Sequence, residues 1–105
     1  MGYAKFEHLS ISQISKHIRK ISVSTTSVFI TSHAKKRMLE RGINVSLVYD
    51  CLRTGTVVQP PEPNLSMGSL ECRMERFVAG KNCCVIVALC DEDPDLVFVT
   101  VFFRN

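Results

Sequence analysis

Apolar residues recur at three- and four-residue intervals over the first half of the chain and at two-residue intervals over the last third. Helices are therefore expected to come first and strands last. Residues 1–9 show neither period and read as a loose or weakly extended lead. Ile11, Ile14, Ile18 and Ile21 then mark one face of a helix, with Lys16, His17, Arg19 and Lys20 on the rest. Ser10 is its expected cap, because Gln13 follows at capping-box spacing. Val28-Phe29-Ile30 suits a short strand. Thr31 or Ser32 can cap a second helix that runs through Arg41, with Gly42 ending it in left-handed backbone. Asn44 can cap a third, whose apolar face is Val45, Val48, Tyr49 and Leu52. Gly55 is expected to close it in the same manner as Gly42.

Thr56-Val57-Val58 suits another short strand, and 59–69, with three prolines, a loop. Strands follow at Leu70 to Ala79, Cys83 to Cys90 and Leu96 to Phe103, joined by turns at 80–82 and 91–95. Turns this short make neighbouring strands antiparallel. The last two strands are apolar on both faces and so belong in the middle of the sheet. The expected fold is α+β, with N-terminal helices packed on a three- to four-stranded antiparallel sheet. Residues 1–27 read as an extension with an amphipathic helix, and 28–105 as the domain proper.

Composition adds bounds. The 105 residues, 46 % of them apolar, suit one domain with one core. The longest apolar run, Cys83 to Cys90, is far below the roughly 20 residues of a membrane-spanning helix. No apolar signal-peptide core opens the sequence, so a cytoplasmic location is expected. The five cysteines form no C-x-x-C pair and read as small hydrophobes in a reducing compartment. Cys83 and Cys84 point to opposite faces of a strand, so they do not make a zinc pair. No metal or cofactor is expected. Residues 1–41 carry eight lysines and arginines against Glu7 and Glu40, whereas the remainder is net acidic. A basic half attracts a phosphate backbone, and it is also what two solvated helix faces look like.

The segment His33 to Ile43, H-A-K-K-R-M-L-E-R-G-I, holds the most chemistry. His33, Arg37 and Arg41 stand at i, i+4 and i+8 and project from one side of a helix, beside the apolar stripe of Ala34 and Met38. Such a row can line a groove between helix and sheet. Arginine gives planar, bidentate phosphate contacts, and a histidine can move a proton in the neutral range. The alternative is a solvated face whose long side chains cover the edge of the core.

This segment resembles the signature H-A-x-x-R-M-x-E-R-G-I of an uncharacterised bacterial and phage domain family. Val48, Leu52 and Gly55 match the apolar positions and closing glycine that follow, and Val99-Thr100-Val101 matches its final strand. That family is similar to the BrnT and RelE toxin folds, two helices on a curved antiparallel sheet. The resemblance implies metal-independent RNA cleavage, often on ribosomes and often restrained by an antitoxin. It carries over only to His33, Arg37 and Arg41.

Cleavage by the RNA's own 2′-hydroxyl needs a base, an acid and cations on the phosphorane oxygens. His33 is the expected base or acid, and Arg37 and Arg41 the phosphate clamps. Arg76 shares a strand face with Cys72 and Met74, and there it must reach a phosphate or an ion-pair partner. Lys35, Lys36, Arg73 and Thr100 are candidate nucleic-acid contacts, with a backbone bond as the plainer role for the Thr100 hydroxyl. His8 and His17 read as surface residues, and Asp91, Glu92, Asp93 and Asp95 as a solvated turn. Gly-rich phosphate loops, serine elbows and helix-borne metal-binding histidine pairs are absent.

Three readings result. One is a toxin-type ribonuclease. Another is an interaction or inhibitor module, in which the isoleucine helix docks on a partner or pairs two copies. The third is a non-catalytic nucleic-acid binder. Against the third stands the lack of tryptophan and the crowding of phenylalanines into the last strand, which leaves no exposed stacking platform.

Overall fold

The structure, a computed structural model, describes residues 2–78 and 80–104. Met1, Ala79 and Asn105 lie outside the described residues, and with them the last residue of the expected 70–79 strand. The elements in chain order are α1 (Ala4–Glu7), α2 (Ile11–Ile21), β1 (Val28–Ile30), α3 (Ser32–Glu40), α4 (Val45–Thr54), β2 (Thr56–Val57), β3 (Glu62–Asn64), β4 (Ser69–Val78), β5 (Lys81–Leu89) and β6 (Val97–Arg104). The fold is α+β, as the periodicity predicts.

The helix caps are those the sequence signals. Ser10 and Gln13 form a full capping box on α2. Thr31 Oγ1 accepts the Ala34 N–H on α3, and Asn44 Oδ1 accepts the Ser46 N–H on α4. Gly42, at φ 64°, supplies the left-handed residue after α3. Gly55 differs from expectation. Its backbone is extended, and glycine is needed for space: a Cβ there would lie 2.5 Å from the Cys51 carbonyl oxygen and 2.8 Å from that of Glu75.

The sheet is larger than expected and mixed. Six strands run in the order β1-β6-β5-β4-β2, with β3 also paired to β4. β1 lies parallel to β6, Val28 opposite Val97 and Ile30 opposite Val99. Distant partners of this kind leave no turn signal. β3 forms inside the proline-rich stretch expected to be a loop.

All four helices contribute to a core on one face of this sheet. Phe6, Ile14, Ile18, Ala34, Met38, Val48, Cys51 and Leu52 meet Leu70, Cys72, Met74, Val85, Val87, Leu89, Val99 and Phe102. The isoleucine helix is thus structural. Ile14 and Ile18 are fully buried, and Arg19 of α2 donates to the Gly55 carbonyl at 2.9 Å. The lead is ordered too. Asp91 accepts the Ala4 and Lys5 N–H groups at 3.0 and 2.9 Å, starting α1 and burying Phe6. His17, expected at the surface, packs on the Phe6 ring and bonds the Pro94 carbonyl.

The other sheet face carries no core cluster. A bulge between Ile86 and Val87 shifts the β5–β6 register, so Phe98 and Phe102, which simple alternation would put on one face, lie on opposite ones. Phe102 is buried under the helices, whereas Phe98 and Phe103 are half-buried on the open face. Phe29 stands beside Phe98 there, ring centroids 5.8 Å apart. Phe29 and Phe77 are 55 % and 73 % exposed, so the expected absence of exposed aromatics on strands does not hold.

Candidate nucleic-acid interface

α3 buries Ala34 and Met38 and turns the rest of its surface outward. His33, Lys35, Lys36, Arg37 and Arg41 are all exposed on this nine-residue helix and its C-cap, with Glu40 the single acid among them. Among the described residues none forms a hydrogen bond or ion pair with these five side chains. His33 lies in the first turn, two residues after the Thr31 cap, where phosphates are also favoured by the positive helix end. Arg41 occupies the C-cap, where a cation is favoured by the negative end.

Arg19, Arg53, Arg73 and Arg76, by contrast, are held by the protein itself. Arg19 is bound to Gly55. Arg53 donates to the Ser22 and Val23 carbonyls at 2.7 and 3.2 Å and lies over the Tyr49 ring. Arg76 is ion-paired to Asp50 and bonded to the Thr54 hydroxyl at the end of α4, the partner that its burial-side position demands. Arg73 joins Glu75 at 2.7 Å on the open face and lies over Phe103. Bonds from Asn82 and Arg73 hold the Glu75 carboxyl below its ordinary value. Thr100 donates to the Ile86 carbonyl at 3.0 Å. The structure therefore leaves His33, Lys35, Lys36, Arg37 and Arg41 exposed on α3 and its C-cap and commits Arg73, Arg76 and Thr100 elsewhere.

A second feature was not visible in the sequence. A groove of about 410 Å³ lies between β6, β5, β4 and the turn after β3. Thr31, Asn64, Met67, Glu71, Phe98 and Thr100 are among its lining residues. Thr31 links it to the start of α3, and its N–H is bonded to the Val99 carbonyl. The row of α3 itself does not line it. The only sequence signals were the alternation that puts Glu71 with Arg73 and the turn-forming Asn64, neither of which locates a cavity.

Among the described residues no group of three or more His, Cys, Asp and Glu side chains could hold a metal ion, and no helix is long and apolar enough to cross a membrane. Burial pushes Cys51 and Cys72 up to about 12 and Cys84 to about 11, so these thiols are poor nucleophiles and ligands.

The fold and site define a two-layer α+β domain with one sheet face covered by helices and an unanswered cationic helix at its edge. The model of a family described as a domain of unknown function (DUF4258) matches residues 30–103, most of the chain, and the chain belongs to that family. α1 and α2 precede the matched segment yet share its core. No curated protein and no solved structure matches.

Proposed function

We propose that this protein binds RNA through the outer face of α3 and cuts it without a metal, as toxin-type ribonucleases do. The observation that carries the reading is the unanswered charge of His33, Lys35, Lys36, Arg37 and Arg41, in a molecule that pins Arg19, Arg53, Arg73 and Arg76. Cations left in water beside one another repel, and a polyanion relieves that repulsion while releasing its counterions. Arg37 and Arg41 clamp the phosphate, the role their planar forks suit.

His33 takes the proton of the RNA's 2′-hydroxyl. The 2′-oxygen attacks phosphorus, the bond to the 5′-oxygen breaks, and that oxygen takes a proton from a water, to which the His33 imidazolium returns the proton it took. The products are a 2′,3′-cyclic phosphate and a 5′-hydroxyl end. An antitoxin restraining this activity would cover the α3 face.

The test is incubation of total bacterial RNA with purified protein in excess chelator, beside His33→Ala and Arg37→Ala. The reading expects fragments with cyclic phosphate ends from the parent chain, lost in His33→Ala although RNA still binds. Bound but intact RNA, with ribosomes also left uncut, would reduce the function to RNA binding. RNA neither bound nor cut would remove the reading altogether.

A further inference from the structure

The groove on the open sheet face has a lining chemistry opposite to that of α3. Its titratable lining residues Glu71, Glu92 and Asp93 are acids apart from the Cys90 thiol, and no lysine, arginine or histidine is among its lining residues. A phosphate is therefore repelled from it. Its walls are otherwise largely apolar, with the half-buried Phe98 ring, Ala88 and Met67. A volume of about 410 Å³ falls within the range of small-molecule sites. An uncharged, flat ring system with hydrogen-bond donors on its edge satisfies both properties.

The polar groups narrow the choice. Asn64 is fixed, its Oδ1 accepting from the Ser66 hydroxyl at 2.9 Å and the Met67 N–H at 3.2 Å. Its Nδ2 donates to Glu71 Oε2 at 3.0 Å, which orients the carboxylate and leaves Oε1 without a partner among the described residues. An oriented carboxylate accepts two parallel donors best. Among the RNA bases only guanine offers two adjacent donors, N1–H and the 2-amino group, on its pairing edge. Uracil has one N–H between two carbonyls that a carboxylate repels, while adenine and cytosine place an acceptor beside their single amino group.

We propose that this groove is a base-binding pocket selective for guanine, with Phe98 stacking on the ring and Glu71, held by Asn64, reading its edge. The inference rests on the RNA reading above and deepens it. Thr31 belongs both to the groove lining and to the cap of α3, so one nucleotide can place its base in the groove while neighbouring phosphates follow the cationic helix.

The experiment uses the full chain and labelled 2′-O-methyl pentanucleotides UUNUU, which cannot be cut through their own 2′-hydroxyl. Binding is followed by fluorescence anisotropy with N as G, A, C or U. The expected result is at least tenfold tighter binding of the G form, falling to within about twofold of the others in Glu71→Gln. With the parent protein alone, free guanosine should displace the G pentanucleotide at concentrations where uridine does not. Equal, salt-dependent binding of all four would overturn the pocket and leave the RNA reading standing. Preference for G that survives Glu71→Gln in a folded variant, without guanosine competition, would also overturn it. Binding of none of the four would overturn both.

Discussion

The outer face of α3 and the seam where α2, α4 and β4 meet are built from the same residue types, yet the fold answers only one of them. In the seam Arg19, Arg53 and Arg76 each end on a carbonyl or carboxylate, and each ties together elements far apart in sequence. On α3 Arg37 and Arg41 end in water. Seam charges are thus part of the fold's own hydrogen-bond account, and α3 charges are surplus to it. Substitutions in the seam should cost stability, and those on α3 should cost binding.

The enclosed side of this contrast should fail most sharply in alkali. Thiols in the unfolded chain titrate near 8.5, whereas Cys51 and Cys72 are held at about 12 and Cys84 at about 11. The unfolded state alone loses these protons as pH rises, so stability is complete below about 8.5 and declines towards 11 to 12. At pH 10 Cys51 and Cys72 together should remove on the order of 4 kcal/mol, with a smaller addition from Cys84 on the open sheet face. Denaturant unfolding at pH 7.5, 9 and 10 measures this, and a flat stability over that range would contradict the burial of the three thiols.

Gly55→Ala comes next. The new methyl would meet two backbone carbonyls that have nowhere to retreat, since one closes α4 and the other belongs to β4. A loss of about 3 kcal/mol is expected, or roughly 12 to 24 °C in thermal midpoint. A wild-type midpoint would show that the junction is looser than the geometry here.

Arg53→Ala removes charge-assisted bonds to two carbonyls, one on the fully buried Ser22, and should cost about 2 kcal/mol. Arg41→Ala, measured by the same melt, should move stability by less than about 0.5 kcal/mol. Equal losses from the two would erase the distinction on which the function is argued. Ser22→Ala should act in the opposite direction. The Ser22 hydroxyl is buried without a partner among the described residues, so its removal should leave stability unchanged or raise it by up to about 1 kcal/mol.

Signals confined to one helix end are legible in the sequence, and pairings between distant segments are not. Ser10, Thr31 and Asn44 cap helices because their partners are two or three residues away. α1 escaped notice because its cap is Asp91, and β1 gave no hint of lying beside β6. The bulge at Ile86/Val87 changed which phenylalanines share a face, a one-residue shift that alternation alone does not reveal. Gly55 looked like Gly42 because sequence shows the missing side chain and not which constraint requires it.

The same division holds for the site. The α3 row was legible because i, i+4, i+8 spacing is a property of one helix. The groove draws Thr31, Asn64, Glu71 and Phe98 from four segments that only the sheet topology brings together. Arg76 illustrates the limit from the other side, since its strand position demanded a partner without saying whether it was Asp50 or a phosphate.

The most direct test of the account is the salt dependence of RNA binding by the parent chain and by a Lys36→Ala, Arg37→Ala, Arg41→Ala triple variant. A single-stranded RNA and a titration from low to moderate salt suffice. The account predicts that the variant melts like the parent, binds on the order of 100-fold more weakly, and shows a slope of log affinity on log salt shallower by about 2. An unchanged affinity and slope in the folded variant would contradict it, because the charges on α3 would then have no part in binding RNA.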